Sequence, residues 1–133
     1  MTDPLPVVVF PDIEALSISF LASRLPDVHV TSEWPEDLAE RLPVVAVSRL
    51  GGGTELRFVL QDGTIDIDCL AASKAAAHDL AQLVLAHMLT MPSADALDAI
   101  VYTVTDDGLV WAPDPVTELP RYVLTCTLRF RPA

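Results

Sequence analysis

A chain of 133 residues, 51% hydrophobic and 20% charged, carries enough apolar surface for one compact core, which excludes global disorder. Nineteen acidic against eight basic side chains give a net charge of −11, a field that repels nucleic-acid phosphates and disfavours adhesive DNA binding. The most apolar stretch, Leu80 to Met91, is broken by Gln82 and His87 and is too short for a membrane span, which needs about 20 residues.

Met1-Thr2-Asp3-Pro4-Leu5-Pro6 lacks the basic start of a secretory signal, so synthesis in the cytoplasm without membrane contact is expected. Pro4, Pro6 and Pro11 surround Val7-Val8-Val9-Phe10, and proline's fixed φ and missing N–H make residues 1–11 an extended arm. Asp12 is a natural N-cap before Ile13, Leu16, Phe20, Leu21 and Leu25, the apolar stripe of a helix that Pro26 ends. Val28 and Val30 alternate with polar neighbours in a short strand, and Trp34 to Leu42 reads as an acidic turn or single helical turn. Val44-Val45-Ala46-Val47, apolar on both faces, suits an inner strand, which Gly51-Gly52-Gly53 is expected to stop as a mobile hairpin tip. Leu56 to Leu60 is a further strand candidate. Asp62-Gly63 then predicts a turn into a strand with Ile65, Ile67 and Cys69 on one face and Thr64, Asp66 and Asp68 on the other.

Ser73 caps a second helix predicted to run through Met91, with Ala76, Leu80, Leu83, Val84, His87 and Met88 or Met91 along its stripe until Pro92. Ile100 to Asp106 alternates as a strand, and Asp107-Gly108 is expected to turn the chain. Trp111-Ala112-Pro113-Asp114-Pro115 is a rigid loop because its prolines forbid ladder pairing. Tyr122, Leu124, Cys126, Leu128 and Phe130 alternate with Arg121, Val123, Thr125, Thr127, Arg129 and Arg131, the clearest half-buried strand in the chain. The fold class is therefore α+β: a single domain over 1–133, with two main helices packed on a mostly antiparallel sheet and a long β-hairpin or loop.

The chemistry-bearing motifs are weak. GxSxG and phosphate-loop patterns are missing, His78 and His87 fall on different helix faces, and Cys69 and Cys126 lack CxxC spacing and read as buried thiols. Asp62, Asp66 and Asp68 are the nearest thing to a carboxylate cluster, but without a calcium-loop pattern they are expected to pair across strands with Arg129 and Arg131. Trp34 and Trp111 divide evenly between a core and an interface role. No catalytic, cofactor-binding or metal-ligating residue emerges, so a non-enzymatic role is expected, with no cofactor.

Four segments together carry a resemblance to a known family: Pro11-Asp12-Ile13-Glu14, the run Leu42-Pro43-Val44-Val45-Ala46-Val47-Ser48-Arg49-Leu50-Gly51-Gly52-Gly53, Ile65-Asp66-Ile67-Asp68 running into Ala71-Ala72-Ser73, and Trp111-Ala112-Pro113-Asp114-Pro115 followed by Pro120-Arg121-Tyr122 and Arg129-Phe130-Arg131-Pro132. In this order they resemble the tail terminator, or tail completion, proteins of long-tailed, siphovirus-like bacteriophages, in particular those infecting actinobacteria. The resemblance implies a virion protein at the head-proximal end of the tail, assembled as a hexameric ring. It would bind the last ring of tail tube protein, stop tube polymerisation and dock the head-completion or connector protein, while DNA passes through the lumen without specific binding. No catalytic motif is carried over.

A closed ring needs two complementary patches per subunit. Asp95, Asp98, Asp106, Asp107, Asp114 and Glu118 form an acidic tract, and Arg121, Arg129 and Arg131 a basic end. The candidate subunit-interface residues are Arg49, Gly51, Gly52, Gly53, Trp111, Pro113, Asp114, Arg121, Arg129 and Arg131. A head-to-tail connector or head-completion subunit is the alternative within virion assembly. From other classes come a small acidic metal- or ligand-binding protein acting through Asp62, Asp66 and Asp68, and a host regulatory adaptor.

Overall fold

The computed structural model describes residues 4–57, 59–94 and 97–133. Asp95 of the acidic tract, Phe58 of the expected Leu56–Leu60 strand and the start of the arm, Met1 to Asp3, lie outside the described residues. The chain order is α1 (Ile13–Arg24), β1 (His29–Thr31), α2 (Leu38–Arg41), β2 (Val44–Leu56), β3 (Leu60–Leu70), α3 (Lys74–Met88), a 3-10 turn (Met91–Ser93), β4 (Ala99–Trp111) and β5 (Arg121–Pro132). The strands form one five-stranded sheet in the order β1-β2-β3-β5-β4, antiparallel except where β1 runs parallel to β2. This is the expected α+β architecture.

The helix starts follow from capping chemistry. Asp12 Oδ1 accepts from the backbone N–H groups of Glu14 and Ala15 at 3.0 and 3.1 Å, and Ser73 Oγ accepts from that of Ala76 at 3.1 Å. Each satisfies N–H donors that the first helical turn leaves without partners. α1 buries Ile13, Leu16, Phe20 and Leu21, while α3 buries Ala77, Leu80, Ala81, Val84 and Met88. Both pack on the face of the sheet formed by Val45, Val47, Ile65, Ile67, Cys69, Leu124, Cys126, Leu128 and Phe130. Each large apolar side chain removed from water there contributes about 1.5–3 kcal/mol. The other face is covered only at one end, where Val44 and Leu70 pack with Leu38, Trp34, Leu42 and Leu119. Val44–Val47 thus have apolar neighbours on both sides, as their uninterrupted apolar run predicted.

Several expected boundaries are corrected. The glycines neither stop β2 nor form a tip: Gly51, Gly52 and Gly53 pair with Thr64, Gly63 and Asp62 within the β2–β3 ladder. Asp62-Gly63 is likewise strand, not turn, and the chain reverses between Leu56 and Leu60, where the Val59 N–H donates to the Leu56 carbonyl at 3.0 Å. Asp107-Gly108 does not turn the chain either. β4 runs through it with an irregularity between Asp106 and Leu109, which Gly108 accommodates at φ 84°. In each case an inter-strand ladder outweighs a local turn preference. α3 ends at Met88 instead of Met91, and its buried stripe is centred on Ala77 and Ala81, leaving Ala76 and Leu83 exposed.

Candidate functional site

The expected interface residues separate into two groups at opposite ends of the strands. Arg49, Gly51, Gly52 and Gly53 lie on the outer half of β2, near Arg129 and Arg131 at the end of β5. Trp111, Pro113, Asp114 and Arg121 lie at the other end, around the β4–β5 connection. The residues from Arg121 to Arg129 in β5 separate the groups by roughly 26 Å at about 3.3 Å per residue.

At the β4–β5 connection the candidates are used within the chain. Asp114 is buried, with a relative exposure of 6%, and accepts hydrogen bonds from the backbone N–H and hydroxyl of Thr117, which hold its carboxyl below the usual range. Its Oδ2 thereby caps a turn. The Arg121 guanidinium donates through Nε to the Ala112 carbonyl at 2.7 Å, stands 3.8 Å from Asp68 and lies over the Trp34 ring. Trp111 packs against Tyr122 at 5.2 Å between ring centroids, with the Lys74 ammonium over its indole. Both tryptophans therefore brace the fold, although Trp111 stays partly exposed at 38%. Pro113 is exposed.

At the hairpin end, Arg129 forms a two-pronged pair with Asp62, Nε to Oδ1 at 2.9 Å and Nη2 to Oδ2 at 3.0 Å. The guanidinium holds the Asp62 carboxyl below its ordinary value, and the carboxylate raises Arg129 in turn. This is the cross-strand pairing expected from the sequence. Arg131 instead donates to the Tyr102 hydroxyl at 2.6 Å. Asp66 accepts from the Thr125 hydroxyl at 2.6 Å, and Asp68 faces Arg121 with its pKa pushed up by burial against that guanidinium's opposing pull. The three aspartates are thus spread along β3 among separate partners. Among the described residues no group of three His, Cys, Asp or Glu side chains is arranged to hold a metal ion.

Cys69 and Cys126 are free and buried, and burial raises both thiols, Cys126 to about 12. Neither is a reactive thiolate at neutral pH. No helix of the described residues is long and apolar enough to cross a membrane.

Two strand edges lie open. Among the described residues β1 pairs only with Val44 to Ala46, so the outer edge of β2 beyond that point has no described neighbour, and all nine residues from Ser48 to Leu56 are exposed. β4 is the opposite edge strand along its full length, with Ile100, Tyr102 and Val110 exposed. Residues 4–11 carry no regular secondary structure; Leu5, Val7 and Val9 face solvent while Phe10 packs edge-on against Phe130. Sequence reasoning singled out the glycines but missed Leu50, Leu56, Arg57 and the β4 edge. The available signal was the lack of period-two alternation after Val47, the mark of a strand with no buried face.

Compared with known proteins, the sequence matches no protein-family model and no curated protein. Among solved structures it is similar to a chain from a virion of a native gene transfer agent particle, with 16% identity over 88% of this chain and 85% of that chain and a TM-score of 0.49.

Proposed function

We propose that this chain is a non-enzymatic structural component of a phage-like virion that forms a ring terminating the tail tube. The observation that carries this reading is the placement of two strand edges that have no partner among the described residues, β2 beyond Ala46 and the whole of β4, on opposite sides of one sheet. A surface with two distinct open edges suits a head-to-tail contact, which closes into a ring when its rotation divides a full turn. A long open edge presents unpaired N–H and C=O groups on which another chain's strand can pair. The order of the resembling sequence segments supports the tail terminator in particular. So does the net charge of −11, since an acidic wall makes no phosphate contacts that would release counterions and hold the DNA as it passes. Partners on this reading are further copies of the chain, the tail tube protein and a head-completion or connector protein.

The deciding experiment mixes the purified protein with tail tubes and images them. Labelled protein at one tip of each tube, together with an end to tube growth, is the expected result. Binding to isolated capsid portals without binding to tubes would move the assignment to a connector, and binding to neither would remove the virion reading.

A further inference from the structure

We infer that the open edge of β2 in one copy pairs with the open edge of β4 in a second copy, continuing the sheet from subunit to subunit. The inference rests on the ring reading for its purpose, but its evidence is in the two edges themselves.

The first argument is charge. Arg49 and Arg57 flank the free part of β2, and Asp98 and Asp106 flank the first part of β4; the same eight-residue spacing separates the members of each pair. Among the described residues none of the four joins an ion pair: Arg49 donates to the neutral Gln61 side chain, and Asp106 accepts from the Gly108 N–H. These charges contrast with Asp62 and Arg129, which neutralise each other on β3 and β5, each one strand in from an edge. An edge carrying unmatched cations and one carrying unmatched anions at the same interval attract each other and repel their own kind.

The second argument is shape. By residue count Gly53 and Tyr102 each lie midway between the two charges of their edge, so matching the charges brings them near one another in either strand direction, with the irregularities of β2 between Arg49 and Gly51 and between Thr54 and Leu56, and of β4 between Val101 and Thr103, setting the local register. Among the described residues a Cβ at Gly53 would meet nothing within 4 Å, and Tyr102 is 46% exposed although its hydroxyl accepts from Arg131 in its own chain. A cross-strand aromatic lying over an edge glycine fills the space that the missing side chain leaves. The exposed Leu50 and Leu56 on one edge and Ile100 on the other would be covered by the same contact.

Charge reversal tests this with the purified protein alone, separately from any tail tube. Light scattering should find Arg49→Glu/Arg57→Glu monomeric, since both of its edges are then acidic, and Asp98→Arg/Asp106→Arg monomeric, since both are basic. An equimolar mixture of the two should recover assembly. Variants that assemble as wild type does, or a mixture no better than its parts, would overturn the pairing. A second measurement covers a weakly associating wild type. Mild oxidation of Gly53→Cys/Tyr102→Cys should yield a ladder of covalent oligomers, with the buried native thiols silent and each single variant giving dimers at most. Only monomers would overturn the proposal. If the edges pair and tubes are not capped, the pairing stands and the terminator reading falls; capping without edge pairing has the reverse meaning.

Discussion

The two halves of β2 are built for different surroundings. Val44–Val47 are fully enclosed, with the helices above and Leu38 and Trp34 below, whereas the nine residues that follow are exposed and held by a single ladder to β3. Hydrophobic burial stabilises the first half within the monomer. The second half is the edge of the sheet, and with none of its residues buried it gains little beyond its hydrogen bonds to β3. One continuous strand therefore joins the folding core to the surface on which the proposed assembly depends, and a subunit built this way can vary its contacts without disturbing its core.

The sharpest way to break the comparison is truncation in each half. Ile67→Ala, which removes the β3 partner of Val47 from the core, should cost about 2–5 kcal/mol in denaturant unfolding. Leu50→Ala should stay within about 0.5 kcal/mol, because that side chain is 59% exposed. Equal effects would show that the outer half is integral to the monomer. Next in size is Gly52→Ala. Its φ of 123° and the collision of a new Cβ with the Asp62 carbonyl oxygen should cost about 1–3 kcal/mol, while Gly53→Ala, in open space, should be near neutral in the isolated chain. Losing the helix cap in Asp12→Ala should cost about 1 kcal/mol.

Smaller effects distinguish the two ends of β3 by pH. Asp62 has a lowered pKa, so its contribution is complete above the unfolded-state value and disappears as pH falls through the folded-state value. Asp68 has a raised pKa, so its ionised form costs stability at neutral pH, and that cost is relieved as acid protonates it. Asp62→Asn should therefore melt below wild type at pH 7 and Asp68→Asn above it, with both differences shrinking toward acid. Two shifts of one sign would refute the assignment. Smallest is Ser17→Ala: this fully buried hydroxyl finds no partner among the described residues, so its removal should change stability by less than about 1 kcal/mol, in either direction.

The chain's own pattern determined the parts that depend on nearest neighbours. Asp12 and Ser73 marked the helix starts, the alternation from Tyr122 to Phe130 marked β5, and the doubly apolar Val44–Val47 marked an inner strand, because caps and periodicity act over a few residues and survive in any context. Tertiary structure alone decided where the strands end. Gly51 to Gly53, Asp62-Gly63 and Asp107-Gly108 carry strong local turn preferences, worth little beside a ladder whose far strand lies many residues away. It also decided that Asp114 and Arg121 are occupied within the fold while Arg49, Arg57, Asp98 and Asp106, at the rims, join no ion pair among the described residues. A charge's partner is set by strand order in space, and strand order is a property of the whole sheet.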